Sequence, residues 1–276
     1  MRPVTRLTVT GASWVTPDVR RVQFRSDDLS AFAQSRFTDR YVKIVFPKPG
    51  VVYPEPLDVR ALRGTLPPEQ LPDVRTYTAL FPDVEAGTLA IDFVVHGDDG
   101  VAGPWAAAAK PGDTLLVNGP GGAYRPDPAA DWHLLVGDES AMPAISAALA
   151  ALPPDATARV VLMVSQPGRE PDLRLPSNGT VQYVYRAGDA PDGLLVDAVR
   201  ALDWPDGRVH AFVHGEAQEV MHGLRPLLLT ERGLARDQLS ISGYWRRGRT
   251  EEGFRAWKAE LARAEGGEPR GGAVRP

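Results

Sequence analysis

Two short runs of this chain hold residue types that could do chemistry together. Arg75-Thr-Tyr-Thr78 offers a cation, an aromatic ring and hydroxyls, and His96-Gly-Asp-Asp-Gly-Val-Ala-Gly-Pro-Trp105 follows it downstream. In an extended run, residues 75 and 77 face one side and residues 76 and 78 the other. Arg supplies a fork for phosphate, Tyr a face for a ring system, and Thr a donor or acceptor for a ring nitrogen. The second run is a Gly-rich turn entering Trp105-Ala-Ala-Ala-Ala109, so a short helix is expected near Trp105–Lys110. A helix N-terminus presents free N–H groups and the positive end of a dipole, which suits a pyrophosphate. Together the two runs describe a site for a flavin dinucleotide.

Other chemistries find little support. The 276 residues contain no cysteine, which excludes disulfides, thiol catalysis and thiolate metal sites. His210 and His214 lie along an expected strand, where four residues span ~13 Å, too far to share a metal. Asp138 and Glu139 precede an Ala-rich helix and complement its dipole. Gly137-Asp-Glu-Ser-Ala-Met142 is neither a P-loop nor a G-x-G-x-x-G turn, and it lacks the G-x-S-x-G elbow of a hydrolase. A net charge of −4 gives no electrostatic reason to bind nucleic acid. No apolar run approaches the ~20 residues of a membrane span, and the first residues lack the apolar core of a signal peptide. A cytoplasmic, monomeric protein without nucleic-acid or membrane partners is expected.

The elements that must position these residues fall into two groups. Leu7–Thr10, Val19–Phe24, Tyr41–Phe46, Thr76–Leu80, Thr88–Val95 and Asp113–Asn118 read as strands. Several alternate with period two between turn residues, and they suggest a closed or nearly closed antiparallel β-barrel over residues 1–125. Tyr124-Arg-Pro-Asp-Pro-Ala-Ala-Asp131 is a Pro-rich bridge. Beyond it, strands at Trp132–Val136, Ala158–Val164, Val181–Tyr185, Val209–Val213 and Gln238–Ser242 alternate with helices at Ala141–Leu152, Gly193–Leu202 and Ala217–Arg232. That alternation predicts an α/β domain with a parallel sheet over residues 131–264. A last helix is expected over Glu251–Ala264, and the Gly/Pro-rich residues 265–276 read as a disordered tail.

A barrel followed by an open α/β domain is the plan of a flavin-plus-nicotinamide reductase. The chain resembles the siderophore-interacting proteins, flavin-dependent ferric-siderophore reductases of the ferredoxin-reductase superfamily. The resemblance rests on Arg75-Thr-Tyr-Thr78, Asp92-Phe-Val-Val-His-Gly97, Trp105-Ala-Ala-Ala-Ala-Lys-Pro-Gly-Asp113, Gly137-Asp-Glu-Ser-Ala-Met-Pro-Ala144, Gly215-Glu216 and Gly243-Tyr-Trp-Arg246, in that order.

It implies FAD and NADPH or NADH as cofactors and a ferric siderophore as substrate. Arg75 would meet the FAD pyrophosphate, Tyr77 would pack on the isoalloxazine, and Thr78, the catalytic candidate, would bond near N5. Asp92, Trp105, His96 and the backbone of Val101, Ala102 and Gly103 belong to the same cofactor set. Gly137, Asp138, Gly215, Glu216, Tyr244 and Trp245 would frame the nicotinamide cofactor. Arg246, Lys48 and Arg125 are the substrate-binding candidates. Three residues depart from the family pattern. An expected Arg is Leu80, a phosphate-binding Ser is Gly103, and the following Arg is Pro104. These losses motivate an alternative, a flavin-poor module that binds ferric siderophore without reducing it. A general flavin or quinone reductase is another. Ser165-Gln-Pro-Gly-Arg169 follows the second α/β strand, so Ser165 and Arg169 slightly favour NADPH through its 2′-phosphate.

Overall fold

The computed structural model describes residues 4–97, 100–186, 192–249, 253, 254 and 260. The described residues of Met1–Pro126, Pro143–Leu152 and Pro167–Arg174 form one compact unit, and those of Asp127–Met142, Pro153–Gln166 and Leu175–Pro276 form a second.

The first unit is built on seven antiparallel strands. They are β1 (Val4–Thr16), β2 (Val19–Arg25), β3 (Tyr41–Phe46), β4 (Asp73–Thr78), β5 (Leu80–Asp83), β6 (Thr88–Val94) and β7 (Thr114–Gly121). Short helices α1 (Ser30–Ala33), α2 (Val59–Leu62) and α3 (Ala102–Ala108) interrupt them. The sheet order is β4-β3-β7-β1-β2-β6-β5. Alternate residues of each strand turn inward, and Leu7, Val9, Val22, Phe24, Val42, Ile44, Ile91 and Phe93 make one core. The two end strands, β4 and β5, are consecutive in the chain and meet at Ala79. The sheet therefore curls, and Tyr77 of β4 reaches Phe93 of β6 with ring centroids 4.6 Å apart.

This is barrel-like, but the expected closure is not seen: among the described residues no ladder joins β4 to β5. The reason is local. β5 has four residues and an irregular register between Leu80 and Asp83, and Pro82 brings no N–H to a ladder. The expected single strand Thr76–Leu80 is accordingly two strands broken at Ala79, whose N–H donates to the Arg40 carbonyl at 2.7 Å. α3 starts at Ala102 rather than Trp105. Pro104 fits its first turn, where a missing N–H costs nothing.

The second unit has five parallel strands, β8 (Trp132–Gly137), β9 (Thr157–Val164), β10 (Asn178–Tyr185), β11 (Val209–Glu216) and β12 (Leu239–Trp245), in the order β10-β9-β8-β11-β12. Every residue of β8 and β11 is buried, as expected of central strands covered on both faces. Helices α4 (Met142–Ala150) and α5 (Leu194–Arg200) follow β8 and β10. The expected helix over Ala217–Arg232 is instead two π-helical segments, Gln218–Leu224 and Leu227–Glu231. Pro226 between them cannot donate to a regular helix and would clash with the preceding turn. Strand order reverses between β8 and β11, and in such sheets ligands sit outside the carboxyl ends of the strands at that point. The last expected helix and the tail lie outside the described residues, apart from residues 253, 254 and 260.

Candidate functional site

On the first unit, β4 sets Arg75 and Tyr77 on one face. Tyr77 is half-buried against the core. Thr78 is buried and pairs with Tyr41 of β3. The Arg75 Nη1 donates to the Val74 carbonyl at 3.1 Å, and its Nη2 stands 3.8 Å from Asp73 Oδ1. Asp73 also receives Lys48 Nζ at 2.6 Å. One carboxylate thus serves two cations at this end of β4. α3 contributes its first turn, whose N–H groups have no partner within the helix. A Cβ added at Gly103 would stand 3.4 Å from the Val94 carbonyl oxygen, an ordinary contact. These residues fit a dianionic pyrophosphate and an attached ring.

Several other sequence candidates sit elsewhere. Trp105 turns inward, stacked at 6.3 Å on Phe24 and 5.7 Å from Phe93, as a wall of the core. Asp92 is fully buried and held bidentately by Arg21 at 2.7 and 2.8 Å. The two are register partners on β6 and β2, so Asp92 ties strands together rather than facing a ligand. His96 is exposed, two residues past β6, and Val101 packs against the core before α3. Leu80, where a cation was expected from the resemblance, is fully buried. Lys48 lies two residues past β3 and Arg125 four residues past β7.

On the second unit, the carboxyl ends of β8, β11 and β12 converge. Gly215 has φ of +150°, and a Cβ there would come within 2.9 Å of Asp138 Oδ2. Only glycine lets β11 pass so close to the loop after Gly137. Asp138 is 1% exposed. Its Oδ2 accepts the Glu216 N–H at 2.9 Å and the Trp245 indole N–H at 2.8 Å, and its Oδ1 accepts the Ser140 N–H at 2.9 Å. Glu216 Oε1 accepts Arg246 Nη1 at 3.0 Å and the Arg247 N–H at 3.1 Å. Tyr244 packs on His214, with centroids 4.8 Å apart. Gly215 makes room for the Asp138 carboxylate, and the carboxylates gathered at these strand ends have hydrogen-bond donors. A nicotinamide cofactor fits such a surface.

Sequence reasoning missed Arg186, which follows β10. It pairs with Glu139 at 3.4 Å and lies 5.7 Å over the Trp245 ring. Burial, and next the Asp138 charge, push the Glu139 carboxyl up, while Arg186 pulls it down. Its position just past a strand end was the available signal. Arg169, favoured for a 2′-phosphate, instead pairs with Asp18 at 3.1 Å. That engagement removes this loop's argument for NADPH. Also unanticipated were His133 and His210, register partners on β8 and β11 with ring centroids 6.4 Å apart. Burial is the main cause that lowers the pKa of both, that of His133 to about 4.

Comparisons with known proteins agree with this architecture. Residues 8–124 match the family model of the siderophore-interacting FAD-binding domain, and residues 130–248 match that of the siderophore-interacting protein. An uncharacterized protein of Mycobacterium tuberculosis strain H37Rv is 48% identical, covering 96% of this chain and 98% of its own. The ferric vibriobactin reductase ViuB of Vibrio cholerae is 34% identical, covering 87% of this chain and 89% of its own. A siderophore utilization protein from T. fusca, a crystal structure, superposes with a TM-score of 0.73 at 35% identity, covering 90% of this chain and 94% of its own.

Proposed function

This chain belongs to the siderophore-interacting protein family, and we propose that it is a flavoprotein that uses NAD(P)H to reduce Fe(III) held by a siderophore, releasing Fe(II). The observation that carries the reading is the edge strand Arg75-Thr-Tyr-Thr78, which places a guanidinium and an aromatic ring on one face, inside a domain that matches the family's FAD-binding model. Bound FAD supplies acceptance of a hydride and delivery of single electrons, chemistry that side chains lack.

The residues do the rest. Arg75, with the first-turn N–H groups of Ala102 and Gly103, binds pyrophosphate. Tyr77 offers its ring as a platform, and Thr78 places a hydroxyl beside the reactive nitrogen. Asp92 and Trp105 act behind this surface as positioning residues, and His96 lines its exposed side. Gly137, Asp138, Gly215, Glu216, Tyr244 and Trp245 frame the nicotinamide cofactor, which is NADPH or NADH. Arg246, oriented by Glu216, and the cations Lys48 and Arg125 draw in an anionic chelate. No proton-transfer pair is needed. The same reading takes residues 1–125 as the flavin part and 131–264 as the nicotinamide part of a cytoplasmic monomer.

The test is anaerobic. The purified protein, reconstituted with FAD, should lose its visible flavin absorbance on addition of NADPH or NADH. A ferric siderophore should then restore it, with Fe(II) trapped by a ferrous chelator. Bleaching without any Fe(II) from ferric siderophores would refute the assignment in favour of a general flavin reductase.

A further inference from the structure

Among the described residues, Trp14 on the β1–β2 hairpin is the largest of the exposed apolar side chains, 50% exposed. Its ring is nevertheless held. Arg20, its register partner on β2, carries a guanidinium 5.3 Å over the indole. Arg20 is itself anchored, because its Nη2 donates to the Ala109 carbonyl at the C-terminal end of α3, at 3.5 Å. The Arg20 Nε is buried without a hydrogen-bond partner. Such a group costs free energy, and the contact with the indole face offsets part of it. The strand also bulges directly after Trp14, where Val15 has no register partner, and a bulge re-aims the side chain beside it. The indole is therefore fixed on one side while half of its surface meets water.

The place of this ring within the first unit gives it a meaning. The Val95 N–H donates to the Asp18 carbonyl at 2.8 Å, which ties the hairpin turn to the end of β6. The first turn of α3 lies against the same strand end, since a Cβ at Gly103 would stand 3.4 Å from the Val94 carbonyl oxygen. In the sheet, β1, β2 and β6 are successive neighbours. Trp14 pairs with Arg20, Arg20 pairs with Phe93, and the Phe93 ring lies 4.6 Å from that of Tyr77. One row of side chains thus runs from Tyr77 to Trp14 across the strand whose end meets α3. Trp14 stands two strand spacings from β6, ~10 Å. An aromatic platform therefore flanks the pyrophosphate site on each side, Tyr77 towards β4 and Trp14 towards β1.

A flavin dinucleotide has the same layout, with a ring system on either side of its pyrophosphate. We propose that Trp14 is the platform on which the adenine of FAD stacks, with Arg20 as the positioning residue behind it. The proposal rests on the flavin reading of β4 and α3 above and adds a seat for the second ring. Stacking tolerates any base, because every base has a π-face. The platform therefore selects a dinucleotide over a mononucleotide, not adenine over guanine. FMN, which ends at its single phosphate, gains nothing from Trp14.

The test is binding, not turnover. The full-length apoprotein is titrated with FAD and FMN, read by flavin fluorescence, and with ADP, read by calorimetry. Trp14→Ala should weaken FAD and ADP about tenfold and leave FMN within twofold. Trp14→Phe, which keeps a ring, should hold FAD within about threefold of the parent. Arg20→Gln, which takes the cation from behind the indole, should weaken FAD about threefold and again leave FMN in place. The unfolding midpoint of the Trp14→Ala apoprotein should stay near that of the parent, because half of this ring is already in water. Unchanged FAD affinity in Trp14→Ala, or equal weakening of FAD and FMN, would overturn the platform and leave the flavin reading standing. Trp14-dependent binding of ADP by a protein that takes up neither flavin would keep the platform and overturn the flavin reading.

Discussion

On the first unit one carboxylate, Asp73, receives both Lys48 and Arg75, whereas on the second unit several carboxylates divide the donors around them. Beyond β8 and β11, by contrast, Asp138, Glu139 and Glu216 are each bound to donors of the same unit. The contrast follows from what each surface would hold. A resident dinucleotide brings two phosphate charges, so cations gathered at one strand end gain further partners on binding. A transient cofactor must arrive and leave, and a surface with its own hydrogen bonds satisfied releases it easily. It follows that changes in the second surface should disturb folding, and changes in the first should disturb affinity.

Asp138→Ala is the sharpest way to break that contrast. It strands the Glu216 and Ser140 N–H groups and the Trp245 indole N–H. Each fully buried orphan costs about 1–3 kcal/mol, and because Ser140 and Trp245 are only half-buried and can take water, the total should lie near the low end, about 3–4 kcal/mol. The midpoint of denaturant unfolding reads it. On the first unit, Asp92→Asn should cost less, about 1.5 kcal/mol, because its partner Arg21 keeps 29% of its side chain in water and can be rehydrated. Equal losses for the two would erase the distinction.

A pH prediction separates the units again. Burial holds His133 neutral and lowers its pKa to about 4 from the usual 6.5 of a histidine. The unfolded chain therefore binds the proton more readily between those values. The contribution is full above about pH 6.5 and is lost as pH falls towards about 4, by up to about 3 kcal/mol. Unfolding midpoints at pH 7.5 and pH 5 should diverge, and His133→Leu should narrow the gap, the remainder including buried His210. A parent protein with the same midpoint at both would show that the imidazole is already hydrated.

How legible was all this in the sequence? The strand runs and the parallel sheet followed from period-two alternation and uninterrupted apolar strands, and the dense polar run Arg75–Thr78 lies on β4. What escaped was non-local. Nothing near Asp92 announces Arg21, which reaches it only through the β2–β6 register. Likewise His133 and His210 meet because β8 and β11 are neighbours. Trp105 was placed in the cofactor set by the resemblance alone, and its contact with Phe24 and Phe93, far away in sequence, has no local signal.

Arg75→Ala tests the affinity half of the contrast. Removing a charge-assisted phosphate contact should weaken FAD by at least about 1.5 kcal/mol, roughly tenfold. Fluorescence titration of the apoprotein with FAD measures it, and the unfolding midpoint without FAD should hardly move. A large fall in apoprotein stability instead would mean that Arg75 serves Asp73 and the strand, not a ligand.

The smallest expected effect concerns Gly103, on the same surface. Gly103→Ser adds a hydroxyl to the first turn of α3, where a phosphate would lie. Unlike Gly215, whose Cβ would strike Asp138, Gly103 has no positive φ, and its Cβ would only touch the Val94 carbonyl at 3.4 Å. Serine also suits a helical first turn better than glycine. The substitution should therefore fold normally and tighten FAD by about 1 kcal/mol, the worth of one neutral hydrogen bond. The same titration reads it, with a roughly fivefold lower dissociation constant. If FAD binds no tighter while the helix is intact, the first turn of α3 does not face the pyrophosphate. Arg75 would then have to neutralise it with Lys48 alone, and the first surface would be less prepared for a resident dinucleotide than its charge suggests.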